Sequence, residues 1–272
     1  MSAILEIEGL TKRFGAMTAV DDVTLSVEEG EIFGLLGPNG AGKSTTLKML
    51  TTLLPPTAGT AQIDGFNLIR QASNVRRVIG YVPQALSADG SLTGYENLLI
   101  FARLYDLPRR YHKTRVREAL AYMGLADAGD RLARTYSGGM IRRLEVAQAL
   151  LHQPRLLFLD EPTTGLDPVA RRAVWDRLTD LRAQTGMTIF LTTHYMEEAD
   201  SLCQRVAIMS HGKVVGSGSP DELKATLHRP DATLDDVFVQ YTGDSLTPGT
   251  SETEGGSYRE TARTRRSARR LG

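Results

Sequence analysis

Nine consecutive residues, Gly37-Pro38-Asn39-Gly40-Ala41-Gly42-Lys43-Ser44-Thr45, match the spacing G-x-x-x-x-G-K-[ST]. Glycines at this spacing leave backbone N–H groups free to wrap phosphate oxygens. Lys43 adds a point charge for the outer phosphates. The Ser44 hydroxyl is a hard oxygen ligand of the kind Mg²⁺ prefers. An apolar run, EIFGLL, leads into this loop, and a helix is expected to follow over Thr45 to Leu54. A strand before and a helix after are the context this chemistry requires.

A second apolar run, LLFLDEP, ends in Asp160 and Glu161. Two carboxylates closing a buried strand are costly to desolvate unless they have partners or chemistry. In an open parallel sheet, ligands sit outside the carboxyl ends of the strands. That rule gathers Gly37 to Ser44, Asp160-Glu161 and His194, which follows TIFLTT, at one edge. Asp160 then suits Mg²⁺ held through its water shell, and Glu161 suits activation of a water. His194 is placed to donate to a terminal phosphate, although a lone histidine is usually structural. Gln84, after VIGYVP, has an amide oxygen within reach of Mg²⁺; alone it reads more readily as a loop residue.

A third stretch, RTYSGGMIRRLEVAQALL from Arg134 to Leu151, has Met140, Leu144, Ala147 and Leu151 at helical spacing. The helix opens on Ser137, Gly138 and Gly139. Packing gives no reason for two bare glycines there. A helix N-terminus without side chains suits an anion, through its free N–H groups and its dipole.

The elements that must carry these residues alternate between strand and helix texture, so the fold class is α/β. LEIEGL and DDVTLSV alternate as antiparallel strands. A helical lobe, about residues 88–152, is inserted between VIGYVPQ and RLLFLDE. It holds a capping box at Thr93 to Glu96, a face of Leu98, Ala102 and Tyr105, and a second helix from about Arg110 to Met123. A helix from Val169 to Gln184 separates RLLFLDE from MTIFLTTH. RVAIMSHGKVVGSG reads as a hairpin about His211-Gly212. Residues 219–243 form a helical extension, with Pro220 at a first helical position and a stripe of Leu234, Val237, Phe238 and Tyr241. Residues 244–272, rich in Ser, Thr, Gly, Glu and Arg, are expected to be disordered. Their arginines suit either anionic lipid or plain solvation.

The 272 residues are 41% apolar, and acids and bases balance at 32 each, so net charge gives no argument for nucleic acid or for an acidic substrate, and no nucleic-acid partner is expected. A single cysteine, Cys203, rules out an intrachain disulfide and fits a reducing compartment. MSAILEIEGL lacks a basic segment followed by an apolar one, so no secretion signal is expected there. No run reaches the about 20 apolar residues of a membrane span. Work at a membrane would therefore need another chain to do the crossing.

Taken in order over Leu5 to Gly218, these elements resemble the nucleotide-binding subunit of ABC transporters. YSGGM resembles the family signature, with Tyr136 and Met140 in place of the usual leucine and glutamine. The resemblance implies a P-loop NTPase core with a mixed or parallel sheet, an N-terminal antiparallel β subdomain and an inserted helical subdomain within residues 1–243. It implies ATP and Mg²⁺ as ligands and hydrolysis as the reaction. It places Ser137, Gly138 and Gly139 on the terminal phosphate of an ATP held by a second copy, in a head-to-tail pair. Phe14 matches the residue that stacks on adenine; read alone, it fits a turn anchor equally well. Asp167 matches the residue linking the two sites; read alone, it is a helix cap before Pro168. Gln84 matches the lever to the helical lobe, and His194 the switch histidine.

The wording YSGGM, EPTTGLDP, LTTHYMEEAD and TLDDVF further resembles the daunorubicin-resistance type of exporter ATPase. That branch implies a separate transmembrane permease, a peripheral position on the cytoplasmic membrane face, and drug or other amphipathic cargo. An importer subunit, or a soluble mechanical ATPase of the same fold, remain the alternatives.

Overall fold

The computed structural model describes residues 2–243; the expected disorder of residues 244–272 lies outside the described residues. β1 (Ala3–Phe14) buries Leu5 and Ile7 and exposes Glu6 and Glu8, the period-2 pattern of a half-buried strand. It pairs antiparallel with β2 (Met17–Glu28). The expected antiparallel N-terminal layer is therefore present. β3 (Ile32–Leu36) follows, buried along its whole length.

α1 (Lys43–Leu50) begins two residues earlier than expected and ends four residues sooner. Its N-cap is Gly42 in a left-handed conformation, and a Cβ there would stand 2.5 Å from Ala19 O, so only glycine fits. Leu53 and Leu54 prolong the apolar pattern in sequence. In space the chain has already turned, with Thr51 Oγ1 bonding back to Leu47 O at 2.9 Å and Thr52 at positive φ. β4 (Ala58–Ile63) and β5 (Phe66–Asn67) complete the antiparallel sheet in the order β2-β1-β4-β5.

α2 (Ala72–Val78) leads to β6 (Ile79–Val82). Then come α3 (Gly94–Leu104), with the expected Thr93–Glu96 capping box, α4 (Arg109–Tyr122) and α5 (Gly138–Leu150). β7 (Leu156–Asp160), α6 (Pro168–Thr185), β8 (Thr188–Thr193) and α7 (Met196–Leu202) follow. β9 (Arg205–Ser210) and β10 (Lys213–Gly218) form the hairpin, its turn made by His211 and Gly212 at positive φ. α8 (Pro220–Ala225) and α9 (Leu234–Thr242) close the described chain.

The larger sheet has the order β10-β9-β3-β8-β7-β6, parallel from β9 to β6. β3, β7 and β8 are buried throughout, which is why they read as unbroken apolar runs rather than alternating ones. One apolar cluster joins Val82, Leu157 and Leu159 to Leu98 and Val116 of the helical lobe and to Trp175 and Phe238. A second cluster, with Phe33, Phe158 and Phe190, faces the antiparallel sheet. The parallel sheet is thus covered on both sides, and its carboxyl edge is left to present polar residues.

Candidate active site

That edge gathers the loops after β3, β6, β7 and β8. The glycine loop runs straight from β3 into α1. Lys43, on the first turn of α1, curls back so that Nζ donates to Gly37 O at 2.8 Å and Pro38 O at 3.0 Å. It also stands 3.3 Å from Glu161 Oε1. Ser44 Oγ donates to Asp160 Oδ1 at 3.0 Å, and Thr192 Oγ1 donates to the same oxygen at 2.7 Å. Gln84 Nε2 donates to Glu161 Oε2 at 3.2 Å, and His194 Nδ1 lies 3.2 Å from that oxygen. The structure brings Lys43, Ser44, Gln84, Asp160, Glu161 and His194 into one cluster at this edge.

Glu161 is held unusually. Its φ of 47° lies in the left-handed region, uncommon for a side chain with a Cβ. Its N–H donates to Thr192 O at 3.1 Å and to Thr192 Oγ1 at 3.0 Å, which fixes the conformation. Strain of this sort persists only where surrounding bonds over-determine it. The turn aims the carboxylate at Lys43 and His194. Burial pushes the Glu161 carboxyl up, but Lys43, His194 and the Thr164 hydroxyl outweigh it and hold it below the usual carboxylate range. For Lys43 burial dominates and lowers the ammonium against the pull of Glu161 and Asp160.

The cleft beside this cluster has a volume of about 570 Å³. Phe14, 45% exposed, stands at its mouth, so it is not the core anchor that it could have been. Met17, Thr18, Ala19, His211 and Gly212 also line the cleft. The sequence offered only Phe14 as an aromatic platform. Met17 shares its hairpin turn, and a thioether beside a ring is a second adaptable contact for a flat base.

Ser137, Gly138, Gly139 and Asp167 do not line this cleft. Ser137 is the N-cap of α5, its Oγ accepting from Met140 N at 3.3 Å. Ser137 and Gly138 are exposed. Gly139 has a packing reason that the sequence reading denied: a Cβ there would lie 2.9 Å from Ala170 Cβ of α6. The Tyr136 hydroxyl donates to Ala128 O at 2.6 Å, which anchors the start of α5 from beneath. Met140 is half-buried against the same core. Asp167 caps α6 by accepting from Ala170 N at 2.8 Å and is exposed.

A strand-loop-helix phosphate cradle, carboxylates on a neighbouring parallel strand and an antiparallel layer beside the cleft define a P-loop ATPase. The chain belongs to the ABC transporter family. The family model described as "ABC transporter" matches residues 20–164. The daunorubicin/doxorubicin resistance ATP-binding protein DrrA of Streptomyces peucetius is 47% identical over 223 residues, covering 82% of this chain and 67% of that protein. The Nod factor export ATP-binding protein I of Ralstonia nicotianae is 47% identical over 220 residues, covering 81% and 68%. Among solved structures, an ATP-binding subunit of an ABC transporter has a TM-score of 0.76 at 31% identity, covering 88% of this chain and 99% of that one. CbiO1 of Clostridium perfringens, part of the transporter complex cbiONQ, has a TM-score of 0.77 at 29% identity, covering 83% and 92%. The fold expectation is therefore met. The chain is an ATP-binding, ATP-hydrolysing subunit of an ABC transporter. Among the described residues no helix is long and apolar enough to cross a membrane.

Proposed function

We propose that this chain powers the export of amphipathic compounds, drugs or antibiotics among them, as a head-to-tail pair attached to a separate permease on the cytoplasmic membrane face. Residues 1–243 are the working unit, with 88–152 as the lobe that meets the permease and 219–243 as an extension. The observation that carries the reading is the separation of two phosphate-binding elements. Lys43 and the glycine loop stand in the cleft, while Ser137 and Gly138 are exposed on a helix start outside it. A second copy brings its Ser137, Gly138 and Gly139 to the first copy's ATP, and Asp167 of each chain reaches across the same seam.

Gly37, Pro38, Asn39, Gly40, Ala41, Gly42 and Thr45 surround the phosphates, and Phe14 stacks on the base. The Ser44–Asp160 hydrogen bond sets two oxygen ligands side by side, and Gln84 lines the same cleft as Ser44; these three would hold Mg²⁺. Bound there, the ion would neutralise phosphate charge. Lys43 exchanges Glu161 for the γ-phosphate. Glu161, freed of that cation, takes a proton from a water whose oxygen attacks the γ-phosphorus. The bond to the β-phosphate's bridging oxygen breaks and ADP leaves. His194 steadies the charge on the transferred group.

The export reading comes from the resistance and export proteins named above, together with the shared YSGGM and EPTTGLDP wording. Inside-out vesicles carrying the chain with its co-purified membrane partner should accumulate doxorubicin when given ATP and Mg²⁺. Uptake into right-side-out vesicles instead identifies an importer, and no ATP-driven movement in either removes the export reading.

A further inference from the structure

The inner face of α5 is not wholly apolar. Arg142 and Glu145 lie one turn apart, 2% and 3% exposed, and pair at 3.2 Å. Two charges taken out of water lose more than their attraction returns, unless further hydrogen bonds complete them. Those bonds go to one segment. Arg142 Nη1 donates to Pro83 O at 2.7 Å and Nη2 to Gln84 O at 2.8 Å. Glu145 Oε1 accepts from the N–H and the hydroxyl of Ser87. One helix therefore grips both ends of the turn that carries Gln84. The Gln84 side chain points the other way, to Glu161.

We propose that the Arg142–Glu145 pair is a positioning clamp, which makes the Gln84 loop and the helix beginning at Ser137 move as one body. It rests on the roles proposed for Glu161 and Ser137. In a head-to-tail pair, Ser137 serves the partner's nucleotide while Glu161 serves the chain's own. The clamp therefore lies between the two reaction sites. A shift of α5 as it seats on the partner's phosphate is passed through the guanidinium to the Gln84 backbone, and through the Gln84 amide to Glu161. Without the clamp the loop keeps the Gln84–Glu161 bond but loses its tie to α5. α5 can then seat without moving Gln84, so turnover suffers while nucleotide binding does not.

Two double variants separate the clamp from simple core stability. Arg142→Met with Glu145→Leu removes both charges at similar volume, an exchange buried ion pairs commonly tolerate. Arg142→Glu with Glu145→Arg keeps an ion pair but presents a carboxylate to the carbonyls and a guanidinium to the Ser87 N–H. Both should melt cooperatively with ATP Kd within about twofold of the parent and kcat reduced about tenfold or more. Hydrogen exchange at the Ser87 amide should quicken about tenfold or more in both. Arg142→Lys, which keeps the charge and part of the donor set, should fall between and decides the question should either double variant fail to fold. Parent-like turnover together with parent-like Ser87 exchange in the Met/Leu variant overturns the clamp. So does full activity in the swapped pair. The exchange measurement needs no hydrolysis, so a parent chain inactive toward ATP would refute the proposed site roles while leaving the clamp tested.

Discussion

Lys43 Nζ and Glu161 Oε1 stand 3.3 Å apart, and both side chains are almost sealed from water. The lysine proposed to bind phosphate and the carboxylate proposed to activate water are thus each other's counterion until a nucleotide arrives. Glu161→Gln removes the charge and keeps the shape. Losing one partner of a buried pair leaves the other uncompensated, at a cost of up to about 3–5 kcal/mol. The nucleotide-free variant should therefore melt below the parent. ATP supplies the missing negative charge, so the rise in Tm on adding ATP should exceed the parent's. Turnover should fall by about 10²-fold or more. Parent-like hydrolysis by this variant would remove Glu161 as the base.

The two signature glycines should respond differently to alanine. At Gly139 a Cβ meets Ala170 Cβ at 2.9 Å, so α5 and α6 must part and stability should drop by about 1–3 kcal/mol. At Gly138 the nearest contact is Leu166 Cδ2 at 3.3 Å, a side-chain end that can yield. Gly138→Ala should fold with little loss and still hydrolyse ATP slowly, because the exposed helix start is where the proposed pair would bring the partner's phosphate. Urea unfolding and steady-state hydrolysis, measured on both, distinguish packing from function. Equal stability losses at the two positions would contradict the assignment.

Most of the site was legible because its signals are local. The glycine loop is contiguous, and β3, β7 and β8 announce themselves as apolar runs ending in functional residues. The capping box at Thr93 needs only four residues, and Pro220 marks a helix start by itself. β4, β5 and α2 were not legible: β4 buries only Ala61 and Ile63, α2 only Val75, and β5 spans two residues, too little to show a period. In α7 the buried face includes Glu198, a charge that hides the spacing of Met196, Ala199 and Leu202. The clamp on α5 was hidden for a different reason. Arg142, Glu145 and Gln148 interrupt an apolar pattern, and a solvated face is the natural reading of such residues. Only the fold brings Ser87 to Glu145. Thr192 is a similar case, a strand threonine whose partners, Asp160 and the Glu161 N–H, belong to the neighbouring strand.

Glu198 carries a pH signature. It is fully buried on α7, with Oε1 accepting from Thr163 Oγ1 and Trp175 Nε1, both at 2.9 Å. Desolvation pushes its carboxyl up, against the pull of the Thr193, Trp175 and Thr163 hydrogen bonds and of Arg171; Cys203 also faces it. A carboxyl raised in the folded state favours folding most below its unfolded pKa, about 4.5, and that contribution is lost as pH climbs through the folded value. Glu198→Gln keeps an acceptor for Thr163 and Trp175 and has no charge to desolvate. Its Tm should exceed the parent's at neutral pH, and the gap should close as pH falls toward 4.5. A gap independent of pH would show that ionisation of Glu198 is not what costs stability.

The proposed sharing of a reaction chamber between two chains makes a stricter demand on mixtures. Lys43→Ala removes the cation from the chain that holds the nucleotide. Ser137→Ala removes a phosphate contact from the chain that covers it, and also the α5 cap, worth about 1 kcal/mol. Each variant alone builds only defective chambers. Mixed, they form a pair in which one chamber joins Lys43 of the serine variant to Ser137 of the lysine variant and is complete. The other chamber carries both lesions. Random pairing of equal amounts puts about half of the dimers in this mixed form, each with one sound chamber of two. Hydrolysis should then recover to about a quarter of the parent rate, if chambers act independently, and should fade on dilution as the pairs separate. A mixture no more active than its components would mean that Ser137 does not complete another chain's site, or that one sound chamber cannot turn over alone. A tandem fusion of the lysine variant to an unmodified chain tells these apart: it too has one sound chamber, and if it hydrolyses ATP while the mixture does not, the cross-chain role of Ser137 is lost.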